Sequence, residues 1–122
     1  MIETLSLSDV IKQFVSGTPN IQAAALVTSD GLPLASVLPG SMDEDRTAAM
    51  SAAILSLGER IGQELARGTI ERIVVEGDKG YSVMVSCGQD VVLLVLAEKE
   101  AKQGLLFLEV KRLSQKLVSM VA

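Results

Sequence analysis

The spacing of apolar residues along the chain switches between a helical and a strand period, which divides the sequence into eight predicted elements. A first helix follows Ser6 and Ser8, either of which can cap it. Residues 21–29 and 32–38 are predicted to be strands. Asp30-Gly31 joins them as a hairpin turn, because glycine accepts the positive φ that such turns need.

The second half of the chain carries three more strand candidates and a terminal helix. The strands are residues 70–76, 81–87 and 91–97, with short hairpin loops between them. The last of these is apolar throughout, so we expect it at the centre of the sheet with both faces covered. Pro33 lacks a backbone donor, so the strand that contains it is expected at an edge. Residues 101–120 follow as an amphipathic helix.

The longest predicted element is a helix that begins at Ser41, continues to about Arg67 and stops at Gly68. Ser41 and Glu44 have the spacing of a capping box. The predicted order of elements is therefore α-β-β-α-β-β-β-α. This order predicts an α/β (α+β) fold in which a five-stranded antiparallel sheet carries helices on both faces.

This long helix is too apolar for a helix that covers one sheet and faces solvent elsewhere. A stripe at helical spacing is predicted to pack on the sheet: Met50, Ile54, Leu57, Ile61 and Leu65. The uncharged surface continues round one flank, which is rich in small residues: Thr47, Ala48, Ser51, Leu55, Gly58, Gly62 and Ala66. Together the two sets cover roughly 180° of the helix.

Two interpretations of the small-residue flank are open. A glycine inside a helix costs about 1 kcal/mol relative to alanine, so Gly58 and Gly62 call for a close approach by some other element. That element is either part of the same domain or the same helix of a second subunit about a two-fold axis. We favour the second subunit, which predicts that Gly62→Arg weakens assembly and leaves the subunit folded.

Composition and charge exclude several classes of function. The chain has 122 residues with 48% hydrophobic content, enough for one folded domain with a real core. A net charge of −4 and only three aromatic residues argue against nucleic-acid binding. The longest wholly apolar run is too short to cross a bilayer, and the N-terminal Met-Ile-Glu-Thr does not resemble a signal peptide. With a single cysteine, Cys87, these features predict a cytoplasmic protein.

Catalytic chemistry is not predicted. The absence of histidine excludes histidine-based triads and histidine-containing zinc sites, and Cys87 is expected to be a small buried hydrophobe. The acidic residues 43–45 could bind a cation, but they also suit the start of a helix. The helix arginines could contact a phosphate, although we prefer solvent-exposed pairing with Glu64. We expect no catalytic residue, cofactor or metal.

The chain resembles the Roadblock family, named for a dynein light chain, over nearly its whole length. The resemblance rests on the order of elements and on three segments. Residues 24–35 are Ala-Ala-Leu-Val-Thr-Ser-Asp-Gly-Leu-Pro-Leu-Ala, residues 47–60 form the alanine-rich long helix, and residues 80–85 are Gly-Tyr-Ser-Val-Met-Val. The resemblance implies one Roadblock-like domain over residues 1–122, with a profilin-like or longin-like sheet. It places the long helix on one face and the terminal helices on the other.

The resemblance also implies a homodimer, because members of the family typically pair through the long helix and the third strand. The residues expected at this interface are Ala48, Ser51, Ala52, Leu55, Gly58, Glu59, Gly62, Ala66, Ile70, Arg72 and Val74.

Family members commonly regulate or scaffold Ras-like small GTPases, and one bacterial member regulates the polarity GTPase of gliding motility. Others are dynein light chains or lysosomal scaffold subunits. We therefore expect a non-catalytic homodimer that binds a Ras-like GTPase and modulates its nucleotide cycle or location. The alternative is an adaptor subunit of a motor or signalling complex that binds without regard to nucleotide. A small-molecule sensor or enzyme is the third possibility, which the apolar strands disfavour because they resemble packed core.

Overall fold

The computed structural model describes residues 6–121, so the N-terminal segment considered above lies outside the described residues. The eight elements follow one another in the predicted order. They are α1 Leu7–Gly17, β1 Ile21–Thr28, β2 Pro33–Val37, α2 Glu44–Glu64, β3 Ile73–Gly77, β4 Gly80–Ser86, β5 Val91–Glu98 and α3 Gln103–Val121.

The strands form one antiparallel sheet in the order β2-β1-β5-β4-β3. The wholly apolar strand β5 lies at the centre and is buried from Val91 to Val95, as predicted. The strand that begins with Pro33 lies at one edge, which confirms the argument from the missing backbone donor. The opposite edge is β3, whose outer side has no neighbouring strand within residues 6–121.

The helices cover both faces of the sheet, and each face has its own apolar core. On the first face α1 and α3 pack against alternate strand residues, with Ile11 and Leu117 fully buried beneath them. On the second face α2 packs against the other set of strand residues, including Val27, Val92 and Leu94. The predicted α+β fold with the long helix opposite the terminal helices is therefore confirmed.

Helix α1 begins as predicted and α2 does not. At α1, Ser6 and Asp9 form a reciprocal capping box in which the Asp9 N–H donates to Ser6 Oγ at 3.1 Å. At α2, the capping side chain is Asp43, whose Oδ1 accepts from the Arg46 N–H at 2.8 Å. The carboxylate of Glu44 accepts from the Ser36 hydroxyl on β2 and caps nothing. The predicted Ser41–Glu44 capping box is therefore wrong.

The end of α2 and the start of β3 also differ from the prediction. The helix ends at Glu64, and residues 65–72 make the turn towards the sheet edge. Ala66 and Gly68 both have positive φ there, and the N–H groups of Arg67 and Gly68 donate to the carbonyl oxygen of Gly62. The third strand begins at Ile73 and not at residue 70, and Ile70 lies in this turn, where it packs against Gly62.

Candidate protein interaction surface

The structure reverses the two predicted faces of α2. The residues buried against the sheet and its flanking turn are Leu55 and four small ones, namely Ala48, Ser51, Ala52 and Gly62. The large apolar residues predicted to form the core contact lie mainly outside: Met50 is 59% exposed, Leu57 57%, Ile61 45% and Leu65 63%. Ile54 is half-buried. The prediction that this stripe packs on the sheet is therefore wrong for four of its five members.

Burial of this flank goes with close packing against the sheet. Ala48 and Leu55 belong to the same core cluster as strand residues such as Val27, Val92 and Leu94. A Cβ atom on Gly58 would overlap the side chain of Ile73, and one on Gly62 would lie 2.6 Å from the carbonyl oxygen of Gly68. The close approach that these glycines permit is therefore made within the domain. It matches the interpretation in which the approaching element belongs to the same domain, while the second-subunit interpretation stays a prediction.

Five of the residues predicted at the dimer interface are buried within their own domain: Ala48, Ser51, Ala52, Leu55 and Gly62. Their place in an intersubunit contact stays a prediction. Ser51 donates its hydroxyl to the carbonyl oxygen of Thr47 at 2.8 Å, which satisfies its polar group inside the domain. For the same reason Gly62→Arg is now expected to unfold the subunit.

The other predicted interface residues lie in three different environments. Gly58 packs against Ile73, and Ile70 packs against Gly62. Glu59 and Ala66 are exposed. The remaining two, Arg72 and Val74, belong to the opposite face of the sheet: the guanidinium of Arg72 lies over the ring of Phe107, and Val74 packs against the core beneath α1 and α3.

The large apolar residues form a continuous exposed stripe along α2, which we call the α2 stripe: Met50, Leu57, Ile61 and Leu65. Beside it an open groove of about 550 Å³, the α2 groove, runs between the helix and the sheet. The apolar lining of this groove comes from Met42, Met50, Ile54, Val75, Met84, Leu94 and Leu96. An exposed apolar patch of this kind is a candidate interaction surface.

The unpaired edge of β3 adjoins the same groove. Because side chains alternate along a strand, Ile73 and Val75 face α2 while Val74 faces α3. Val75 lines the groove and is 47% exposed. The α2 stripe, the α2 groove and the open strand edge therefore form one contiguous surface, and an unprotected edge strand readily pairs with another chain.

Charge along α2 is unevenly distributed. Glu44 and Asp45 lie in its first turn, and Asp43 caps it, as expected at the positive end of a helix dipole. Near the other end, Arg60 Nε lies 3.1 Å from Glu64 Oε1, and both side chains are well exposed. This is the solvent-exposed pairing that we preferred over a phosphate contact. Arg46 has a different environment from the exposed Arg60–Glu64 pair, because Arg46 lines the α2 groove.

Cys87 is fully buried at the end of β4, on the face covered by α3. Its Sγ lies 3.4 Å from the carbonyl oxygen of Ser114. Burial raises the pKa of this thiol above its ordinary value of 9.0, while hydrogen bonding from the Ser114 side chain acts in the opposite direction. The prediction of a buried hydrophobic cysteine is confirmed, and the thiol has none of the properties of an activated nucleophile.

Comparison with known families gives one match, the Roadblock/LC7 domain, over residues 7–97. The chain is also 36% identical over 103 residues to the uncharacterized protein MJ1340 of Methanocaldococcus jannaschii, which spans 84% of this chain and 90% of that protein. The family match therefore extends from α1 through β5.

Solved structures show the same architecture. A Roadblock/LC7 domain from Streptomyces avermitilis superposes with a TM-score of 0.87 at 25% identity, covering 96% of this chain and 98% of that one. MglB from Myxococcus xanthus has a TM-score of 0.84 at 19% identity with the same coverage. Profilin IB from Acanthamoeba castellanii reaches 0.71 at 15% identity, covering 96% and 100% of the two chains. The last comparison confirms the profilin-like fold. No helix within residues 6–121 is long and apolar enough to cross a membrane.

Proposed function

Since the chain belongs to the Roadblock/LC7 domain family, we propose that it is a non-catalytic, homodimeric regulator or scaffold that binds a Ras-like small GTPase. The observation that supports self-association most directly is the contiguous surface of α2 stripe, α2 groove and β3 edge. The proposal of a GTPase partner is based on the family resemblance. We also propose that the protein is cytoplasmic.

The proposed dimer pairs β3 with β3 of a second copy about a two-fold axis perpendicular to the sheet. This axis makes the two strands antiparallel, so their unpaired backbone groups can meet and the two sheets become one. It also keeps both copies of α2 on the same face of that sheet. Each α2 stripe then lies next to the α2 groove of the other copy, which removes both from water.

The helix dipoles support the antiparallel pairing of the two helices. A two-fold axis places the acidic beginning of one α2, with Asp43 and Asp45, towards the end of the other, where Glu59 and Glu64 balance Arg60 and Arg67. The two helix dipoles then oppose favourably. The interface that we propose therefore consists of the α2 stripe, Val75 and the backbone of β3. This proposed interface differs from the one favoured from the sequence, which was the small-residue flank of α2.

The proposed action on the GTPase does not need a catalytic group from this chain. Its arginines on α2 lie on a regular helix and not on a projecting loop. A partner that binds one conformation of the GTPase switch segments better than the other shifts their equilibrium, and this alone changes the nucleotide cycle. We propose this population shift as the mechanism.

The test of GTPase binding uses Ras-like GTPases from the same genome, each loaded with GDP or with a non-hydrolysable GTP analogue. The purified protein is titrated into each form, and complex formation is followed by light scattering coupled to gel filtration while GTP turnover is measured in parallel. We expect a complex that prefers one nucleotide state and a changed turnover rate. Failure to bind in either state would remove the GTPase from the proposal and leave the dimer untouched.

The alternative function is that of an adaptor subunit in a larger motor or signalling complex. It uses the same dimer but predicts equal affinity for its partner whatever the nucleotide. The two-state titration separates these functions, because a complex with identical affinity in GDP and GTP forms supports the adaptor and contradicts the regulator.

A further inference from the structure

The open edge of β3 offers backbone hydrogen-bonding groups on every second residue. The tight turn between Gly77 and Gly80 makes these two residues a hydrogen-bonded pair, and such pairs alternate along an antiparallel ladder. The odd-numbered residues of β3 therefore bond to β4. The even-numbered positions direct their N–H and C=O groups towards the open edge: Val74, Glu76 and, directly before the strand, Arg72.

The neighbouring ladder gives the same alternation. The N–H of Cys87 donates to the carbonyl oxygen of Val91 at 2.8 Å, so the odd-numbered residues of β4 bond to β5. The even-numbered residues of β4 are left to bond to β3. Because Val75 lies opposite Ser82, and Val74 opposite Val83, the outward-directed groups of β3 are again the even-numbered ones.

The side chains of the same three residues lie on the α3 face of the sheet. Val74 packs against the core beneath α1 and α3, and the guanidinium of Arg72 lies 4.1 Å from the centroid of the Phe107 ring. Glu76 lies opposite Tyr81, whose side chain packs against that core, so Glu76 shares its face. The edge therefore presents a cation, an apolar residue and an anion in that order.

Both charges are available to a second chain. Arg72 and Glu76 are exposed, and the ion pairs found within residues 6–121 lie elsewhere, on α2 and α3. Glu71 and Lys111 line the groove beside Arg72, but they carry opposite charges and neither forms an ion pair with it. The stacking of Arg72 on the aromatic ring orders this cation without neutralising it.

The proposed two-fold axis is compatible with only a few registers of β3 against its copy. Directly opposite residues must share a face of the sheet, so the axis passes through a residue and not between two. An axis at Val74 pairs this residue with itself and places each Arg72 opposite Glu76 of the partner subunit. An axis at Ile73 leaves Glu76 without a strand residue opposite it, and an axis at Val75 does the same for Arg72.

The other face of the sheet favours the same register. With the axis at Val74, Ile73 lies opposite Val75 of the partner subunit, beside the two copies of α2. Val75 is 47% exposed in the single subunit, so this pairing covers an apolar side chain with another. Charge pairs with charge and apolar residues with apolar residues on both faces.

We propose that the β3 edge selects a second copy of this chain through reciprocal contacts between Arg72 of each subunit and Glu76 of its partner, about an axis at Val74. This inference rests on the proposed dimer and adds its register and its selectivity. A strand that lacks an acidic residue four positions after a basic one leaves the charges of this edge unmatched, which disfavours it as a partner.

Charge reversal tests the contact. Arg72→Glu and Glu76→Arg are each expected to raise the dissociation constant of the dimer about tenfold or more, because like charges then face each other at two places. Sedimentation equilibrium measures this constant. Glu76→Arg leaves the contact between Arg72 and Phe107 in place, so it measures the repulsion without that loss.

Mixing the two variants tests the register. In the mixed dimer each reversed residue lies opposite an unreversed residue of the other sign, so both contacts are restored. Native mass spectrometry separates the mixed dimer from the two parent dimers by mass. We expect more of the mixed dimer than random exchange of subunits gives, and a dissociation constant close to that of the wild-type dimer.

A second mixture controls for bulk charge. Lys12→Glu and Asp30→Arg change the net charge by the same amounts, but they lie on α1 and in the β1–β2 turn, away from β3. These variants are expected to mix at random. Circular dichroism of each variant establishes that the fold is retained, which the exposure of all four positions leads us to expect.

The possible failures are distinguishable. A wild-type chain that is monomeric contradicts the proposed dimer and its register together. A wild-type dimer whose Arg72→Glu and Glu76→Arg variants mix at random, or no more selectively than the control pair, contradicts the register and the charge contact while the dimer stands.

Discussion

The carbonyl oxygen of Gly62 accepts a hydrogen bond of 3.2 Å from the N–H of Gly68, and the carbonyl oxygen of Gly68 faces the α-carbon of Gly62. The chain thus turns back on the last turns of α2 so tightly that no side chain fits at residue 62. The positive φ of 84° at Gly68 makes this return possible without strain. The contact fixes the direction in which the chain leaves α2 and enters the β3 edge.

Replacing Gly62 with alanine is predicted to destabilise the fold. The new Cβ would meet the Gly68 carbonyl oxygen at 2.6 Å, and a backbone atom cannot rotate away. Overpacking of this kind typically costs about 1–3 kcal/mol, which exceeds the gain of about 1 kcal/mol in helix propensity. Urea denaturation should therefore show a lower free energy of unfolding for Gly62→Ala.

Gly104→Ala is the matched control, because the space around that Cβ is open in α3. The same chemical change there is expected to raise the free energy of unfolding by about 0.4–1 kcal/mol. Gly58→Ala should fall between the two, since the obstructing atom is the far end of the Ile73 side chain, which can move. An unchanged or increased stability of Gly62→Ala contradicts the packing described for this turn.

The α2 stripe supplies a prediction about assembly. Leu57→Arg combined with Ile61→Arg is expected to convert the proposed dimer into a folded monomer, because both side chains are exposed in the subunit and would be buried only in the dimer. Gel filtration with light scattering measures the mass, and circular dichroism measures the fold.

Leu105→Arg provides the comparison, since Leu105 is similarly exposed at 54% but lies on α3. It should leave the mass at that of the dimer. If the wild-type chain is already a monomer at micromolar concentration, or if the Leu57/Ile61 variant remains a dimer, the interface that we propose is refuted.

The sequence predicts those features of the fold that follow from local properties, and not those that depend on contacts between distant segments. The position of β5 at the centre and β2 at an edge follows from one wholly apolar run and one proline, which are local properties of a strand. The faces of α2 do not follow in this way, because the helix has two uncharged faces and hydrophobicity alone ranks the larger residues as core. Which face is buried depends on contacts with residues distant in sequence, such as Val92 and Leu94 in the cluster that holds Leu55, and Ile73 beside Gly58.

The proposed interaction surface could therefore be predicted only in part. Its presence on the long helix follows from an uncharged arc too wide for a single packing face. The individual residues of the surface cannot be predicted in this way, because a pair of glycines is compatible with close packing either inside the domain or between subunits. Two features had no local signal at all: the α2 groove depends on strands that are distant in sequence, and the Arg72–Phe107 contact joins residues on different elements.

The corrected start of α2 can be tested at two neighbouring positions. Asp43→Ala removes the side-chain acceptor for the Arg46 N–H and is expected to lower the free energy of unfolding by about 1 kcal/mol. Ser41→Ala should have little effect, because the helix begins at Glu44 and the cap is Asp43. Denaturant unfolding of the two variants measures the difference. A larger loss of unfolding free energy for Ser41→Ala than for Asp43→Ala would instead support the Ser41–Glu44 capping box that the sequence predicts.

Cys87 gives a prediction about pH. Burial raises the pKa of its thiol in the folded state above 9.0, so the folded protein keeps the proton at pH values where the unfolded chain releases it. Proton release stabilises the unfolded state. The contribution of the neutral thiol to stability is therefore complete below pH 9.0 and is lost as pH rises through the folded-state pKa, with a slope of at most about 1.4 kcal/mol per pH unit.

Comparison with Cys87→Ala isolates this contribution, because other groups that titrate at alkaline pH are common to both proteins and cancel in the difference. At neutral pH the variant should be less stable by about 1 kcal/mol, since it leaves a small cavity beside Ser114. The gap in free energy of unfolding between the two proteins should then narrow as the pH rises above 9.0. A gap that stays constant over this range shows that the thiol has the same pKa in the folded and unfolded chains, and that burial at the α3–β4 junction does not exclude water as the structure requires.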